Sequence, residues 1–175
     1  MTKRQTQIVL AVASVSIIAA LMLLLYYYFV TNVKEEDLEK YKPKYFSLKE
    51  MTSSATAVSK GIDNSLPNDD VKYNLLALIM KVLDPLREAY GQPIIISSAY
   101  RCEALNHLVG GVSTSQHLKG QAADITSGTR EGNKILFELI RDKGNYDQLI
   151  DESDFKWVHV SYKRVGYNRK QTLKL

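Results

Sequence analysis

The sequence predicts a domain of mixed helices and short strands behind an apolar N-terminal segment, and three observations carry this. An uncharged run of 23 residues, Ile8 to Val30, stands apart from the rest of the chain. Two segments repeat apolar residues at helical spacing: Leu75, Leu76, Ile79, Val82, Leu83 and Leu86 in one, Ile135, Leu136, Leu139 and Ile140 in the other. Short runs rich in β-branched residues, at 93–98 and 157–162, are bounded by turn formers and read as strands.

The N-terminal run is rich in Leu, Ile, Ala and Val and is long enough to span a bilayer as a helix. Tyr26, Tyr27, Tyr28 and Phe29 stand at its far end, where an aromatic belt sits. Lys3 and Arg4 precede it, and Lys34, Glu35, Glu36 and Asp37 follow. The positive-inside rule therefore places residues 1–7 in the cytoplasm, residues 8–30 in a cell inner membrane as a single-pass signal anchor, and the rest on the periplasmic or extracytoplasmic side. A cleaved signal peptide is the alternative; the length of the run and the lack of a small-x-small site after it speak against that. A weakly held anchor that later leaves the membrane is suggested by the Ala and Ser of residues 11–20 and opposed by the Leu-rich second half. Residues 31–44 are charged and read as a linker, leaving 45–175 as the folded domain.

Within that domain, Ser47-Leu48-Lys49-Glu50 is a capping-box pattern that opens a short helix. Residues 60–68 form a loop. A long amphipathic helix follows over 69–90, kinked at Pro85 and capped by Gly91. Residues 93–98, with three consecutive isoleucines, read as a buried strand. A short helix over 103–109 closes at Gly110. The strand beginning at Ala122 comes next, then a helix over 130–142 ended by Gly144, a strand at 147–151 and a strand at 157–162. About 130 residues suffice for one modest core.

Composition excludes several classes. Cys102 is the single cysteine, so no intramolecular disulfide exists, and it reads as a small buried residue. The net charge is +4, with Lys163, Arg164, Arg169, Lys170 and Lys174 gathered near the C-terminus. They read as a solvated tail; contact with an anionic cell-wall polymer or lipid is the sharper alternative. No dense Arg/Lys stripe interleaved with aromatics is present, so nucleic acid is not an expected partner.

The chemistry concentrates in Ser115-Gln116-His117-Leu118-Lys119-Gly120-Gln121-Ala122-Ala123-Asp124, answered by Trp157-Val158-His159-Val160. Two neutral imidazoles and one carboxylate are a ligand set used by catalytic zinc, with a fourth position left for water. His117 sits in a polar loop after Gly110-Gly111. Asp124 enters a strand, and the small Ala122 and Ala123 allow close packing beside a metal. On a second strand Trp157, His159 and Ser161 share one face, so His159 can point across at His117 and Asp124. Two of the three histidines are used; His107 reads as an exposed helix residue.

Ser97-Ser98-Ala99-Tyr100-Arg101, Leu105-Asn106, Gly110-Gly111, Ser115-Gln116-His117, Gly120, Ala122-Ala123-Asp124-Ile125, Asp147-Gln148-Leu149-Ile150 and Trp157-Val158-His159-Val160-Ser161 together resemble the zinc D-alanyl-D-alanine carboxypeptidase family. They are most similar to its subfamily A, which includes D-alanyl-D-alanine carboxypeptidases and L-alanyl-D-glutamate endopeptidases. The resemblance runs from about Tyr45 to Tyr167. It implies an α+β fold of the Hedgehog/DD-peptidase type, a small antiparallel sheet with flanking helices. It also implies Zn2+ held by His117, Asp124 and His159, and a monomer acting on peptidoglycan stem peptides. Arg101 falls at the family's substrate-binding arginine, suited to an oxyanion or a substrate carboxylate. Ser115 and Gln116 are the further substrate-binding candidates. Several relatives carry an acid three positions before the last histidine; here Lys156 stands there. Glu152 is the substitute general base, because Gln148-Leu149-Ile150-Asp151-Glu152 is similar to the subfamily pattern with a glutamate at that place. Asp154 is the reserve and Asp151 the third candidate. The expected function is membrane-anchored zinc peptidase; the alternative, which Lys156 favours, is a non-catalytic relative that binds cell wall or an envelope protein.

Overall fold

The computed structural model describes residues 17–25 and 32–175. Residues 17–25 are helical and exposed. The rest of the expected anchor and residues 1–7, expected in the cytoplasm, lie outside the described residues, among which no helix is long and apolar enough to cross a membrane. Val33–Leu175 forms one compact unit, distinct from Met1–Asn32.

The unit is α+β, and its sheet is mixed rather than antiparallel. Strands β1 (Ile95–Ser98), β2 (Ala122–Thr126), β3 (Gln148–Glu152), β4 (Trp157–Ser161) and β5 (Gln171–Lys174) lie in the order β1-β2-β4-β3-β5. The first four pair antiparallel; β5 runs parallel to β3, with Leu149 opposite Thr172. One face of the sheet carries Ala123, Ile125, Leu149, Val158 and Val160, all without solvent exposure. The alternate residues Asp124, Gln148, Ile150, Glu152, Trp157 and His159 line a cleft on the other face.

The main core helix begins at Asp69–Leu78, capped by the Asn68 side chain accepting from Val71 N, passes through a π-helical turn at Ile79–Leu83, and continues as Asp84–Tyr90. The π-turn directly precedes Pro85: Asp84 N donates to Ile79 O, one residue further back than in an α-helix. Gly91 caps its end with φ +73°. The second long helix, Arg130–Lys143, packs against β2, β3, β4 and the Asp84–Tyr90 segment. Its buried residues include Leu136, Phe137 and Ile140, whereas Ile135 is half exposed instead of facing the core. The capping box is present: Ser47 Oγ accepts from Glu50 N at the start of Leu48–Thr52. β1 is an edge strand, not a buried one; Ile94 is buried just before it while Ile95 is 55% exposed.

Two charged segments fold onto the domain. Val33 and Leu38 of the expected linker are buried, and Glu35–Lys40 is a helix. Tyr41 donates to the buried Asp84 carboxylate, which also accepts from Lys44 N and Tyr45 N. The expected solvated C-terminal tail is engaged as well. Arg164 is buried and pairs with Glu35 and Asp70, and Lys163 and Arg169 pair with Asp147. Burial alone would raise the Asp147 pKa, but hydrogen bonds from Arg169 and Lys163 outweigh it and hold the group at about 2.

The connection between β3 and β4 is strained. Ser153, Asp154 and Phe155 have φ of 51°, 57° and 57°, three left-handed non-glycine residues in a row. Asn133, almost fully buried on the Arg130–Lys143 helix, holds this turn: its Nδ2 donates to Phe155 O and Lys156 O, both at 2.9 Å. Its Oδ1 accepts from Thr126 Oγ1, Ser127 N and Ser127 Oγ at the end of β2.

Two stability predictions follow from these groups. Asn133→Ala removes five hydrogen bonds, among them those of Phe155 O and Ser127 N, and should destabilise the domain by about 3 kcal/mol in urea melts. For Asp147, the folded pKa lies below the unfolded one, so its contribution is complete above about pH 4 and disappears as pH falls toward 2. Asp147→Asn should therefore lower stability at pH 7 by about 2 kcal/mol, and the gap to the unmodified chain should close near pH 2.

Candidate metal centre

Two of the three metal-binding candidates stand on neighbouring strands. Asp124 on β2 is the direct antiparallel partner of His159 on β4. Opposite residues of such a pair project to the same side, so their side chains meet. His159 Nδ1 lies 2.9 Å from Asp124 Oδ1. The third, His117, stands on the 3-10 turn Gln116–Lys119. Gly120 ends that turn with φ +65°, and a Cβ there would sit 2.7 Å from Val71 O, so the chain can return to β2 along this path only with glycine.

The His117 ring is fixed by its surroundings. Its Nδ1 lies 2.6 Å from Ala99 O, and a carbonyl can only accept, so Nδ1 carries the proton. The unprotonated Nε2 is then aimed inward, 3.2 Å from His159 Nδ1 and 3.3 Å from Asp124 Oδ1. Burial pushes the His117 pKa down, with partial opposition from Asp124. Burial would raise the Asp124 carboxyl, but the adjoining His117 and His159 rings outweigh it and hold it well below the usual carboxylate range. One ligand atom from each residue lies within 4.8 Å of the others, and all three residues are buried. Two imidazoles and one ionised carboxylate fit zinc.

The cleft has a volume of about 670 Å³. Arg101 enters it from the segment after β1. Its Nε donates to Ser98 Oγ at 2.8 Å, and its guanidinium meets Asp124 Oδ2 at 2.5 Å. The backbone around Arg101 is held by the buried Asn64, whose Nδ2 donates to Tyr100 O and whose Oδ1 accepts from Cys102 N. Cys102 is half-buried, at the N-cap of the helix Glu103–Leu108. Sequence reasoning missed Asn64; a lone asparagine in a loop gave no periodic signal. Gly110, Gly111, Thr114 and Ser115 line the near wall. Gly111 packs on the buried Asn106, where a Cβ would fall 2.2 Å from Asn106 Oδ1.

The acidic candidates separate. Glu152 lines the cleft opposite Trp157, and burial raises its pKa, aided by the nearby Asp124 and Asp151 charges. Asp154 is exposed in the left-handed turn and pairs with Arg130, away from the cleft residues. Asp151 faces the other side of β3; its carboxylate accepts from Phe155 N. Lys156 belongs to the same turn, with its ammonium 5.6 Å from the Trp157 ring centroid, and is not a cleft residue. Ser115 and Gln116 both line the cleft: Ser115 Oγ accepts from His117 N and Gln116 Nε2 donates to Asp147. His107 is exposed on its helix, as expected.

No curated protein matches this sequence. The family model described as Peptidase M15 matches residues 44–161, which span the whole cluster, Arg101 and Glu152. Chain and site together make this protein a member of the peptidase M15 family, the zinc D-alanyl-D-alanine carboxypeptidase family that its motifs resemble.

Proposed function

We propose that this chain is a zinc peptidase hydrolysing peptide bonds in the stem peptides of peptidoglycan, as a D-alanyl-D-alanine carboxypeptidase or an L-alanyl-D-glutamate endopeptidase. The observation that carries the reading is the meeting of His117, Asp124 and His159 beside Arg101 and Glu152 in one open cleft. Zinc held by the three ligands would polarise a peptide carbonyl and make a water acidic enough to lose a proton near neutral pH.

The chain's own groups do the rest. Glu152 takes the proton of the attacking water and returns it to the leaving amine as the C–O bond forms and the C–N bond breaks. Its raised pKa suits both halves of that transfer. Arg101, oriented by Ser98, presents a permanent positive charge to the developing oxyanion or to a substrate carboxylate. Ser115 and Gln116 form part of the wall against which the substrate lies.

Residues 8–30 are proposed to anchor the enzyme in the inner membrane, N-terminus inside and peptidase domain outside; the uncharged run flanked by Lys3 and Arg4 supports this. The non-catalytic alternative drew on Lys156 in place of an acid. That residue does not line the cleft, whereas Glu152 supplies a carboxylate there, which supports the enzymatic reading.

The test is digestion of purified peptidoglycan by the whole chain, with products weighed by mass spectrometry. Activity should vanish with a chelator and return with added zinc, and fragment masses name the bond. Intact wall with zinc bound points to the non-catalytic relative. Glu152→Gln should cut kcat about 10³-fold and Arg101→Ala about 10²-fold, while Asp154→Asn should stay within about twofold. Zinc at a hundred times its dissociation constant should add about 2.7 kcal/mol of stability to the unmodified protein and none to Asp124→Ala.

A further inference from the structure

Next to the metal-binding turn lies a charge cluster that the peptidase mechanism does not use. Asp147, immediately before β3, has no solvent exposure. Its Oδ1 accepts from Arg169 N at 3.1 Å and Arg169 Nε at 2.9 Å, and Lys163 Nζ stands 2.9 Å away. Its Oδ2 accepts from Arg169 Nη2 and, at 3.1 Å, from Gln116 Nε2. The cations come from the segment after β4, beyond the residues that match the family model. The amide comes from the residue directly before His117.

Gln116 Oε1 is buried without a hydrogen-bond partner. The orientation of this side chain therefore rests on the bond from its Nε2 to Asp147. A buried carboxylate stripped of its cations must draw in water or turn away. Either response takes the acceptor from Gln116. On its other side the turn keeps the bond from His117 Nδ1 to Ala99 O and that from Arg101 N to His117 O. Its fastening toward β3 would be lost.

We propose that Arg169, with Lys163, positions the metal centre: the two cations fix Asp147, Asp147 fixes Gln116, and Gln116 holds the turn that aims His117 at the metal. The C-terminal segment thereby becomes part of the zinc site without touching it. The inference rests on reading His117, Asp124 and His159 as a zinc site.

The experiment measures zinc affinity of the metal-free whole chain by competition with a chromophoric chelator, alongside its thermal unfolding without zinc. Removing a group bonded directly to a metal ligand weakens binding about 10–100-fold, so an effect relayed through one further residue should be about tenfold. Gln116→Ala and Arg169→Gln should each show this loss, Lys163→Gln a smaller one, and Arg169→Lys should recover much of it. The double variant Gln116→Ala/Arg169→Gln should be no weaker than the worse single variant, because both act along one path. Affinities within twofold of the unmodified chain, with only the unfolding temperature lowered, would make the cluster purely structural and overturn the proposal. Additive losses in the double variant would overturn it as well. An unmodified chain that binds no zinc would instead remove the zinc-site reading itself.

Discussion

The register of β2 against β4 is the constraint on which the site depends. Asp124 stands opposite His159 because Ala123, Ile125, Val158 and Val160 must all face the helices. A slip of one residue would send those apolar groups to solvent and both candidate ligands into the core. Hydrophobic burial on one face of the sheet thus sets the geometry of the candidate metal ligands on the other. The same alternation along β3 brings Gln148, Ile150 and Glu152 to the cleft and sends Leu149 and Asp151 away from it.

The groups not carried on regular strands are held differently. Arg101, the Gly110–Gly111 wall and the turn beyond Glu152 lie on irregular backbone, and each is tied by a buried asparagine: Asn64, Asn106 and Asn133. Asn64 and Asn133 donate and accept at once and so bridge peptide groups that no ladder pairs, whereas Asn106 only donates, to Val112 O. His117 has the carbonyl of Ala99 in that role, which also selects its tautomer.

Much of this was legible in the sequence. Alternation along 157–162 put Trp157 and His159 on one face, and the spacing of His117 and Asp124 around Gly120 marked a turn entering a strand. Glu152 was reachable through its resemblance to a known pattern. Asp154 was not separable from it by sequence, because the left-handed turn that turns Asp154 outward contains no glycine to announce it. The isoleucines at 94–96 looked buried because hydropathy does not distinguish an edge strand from a central one. The charged stretches at 31–44 and 163–174 looked solvated because the opposite charges they meet lie far away in sequence, as Arg164 does from Glu35 and Asp70. Long-range ion pairs have no periodicity to read.

The glycine-free turn at Ser153–Phe155 bears on how the domain comes together. Left-handed non-glycine residues cost about 1–3 kcal/mol each, and here the turn is held by Asn133 of the Arg130–Lys143 helix, so the hairpin leans on that helix. Loosening of the helix would therefore free β3 and β4 together, with Glu152 and His159 on them. The proposed base and one proposed metal ligand thus share the support of a helix that itself contributes no residue to the cleft.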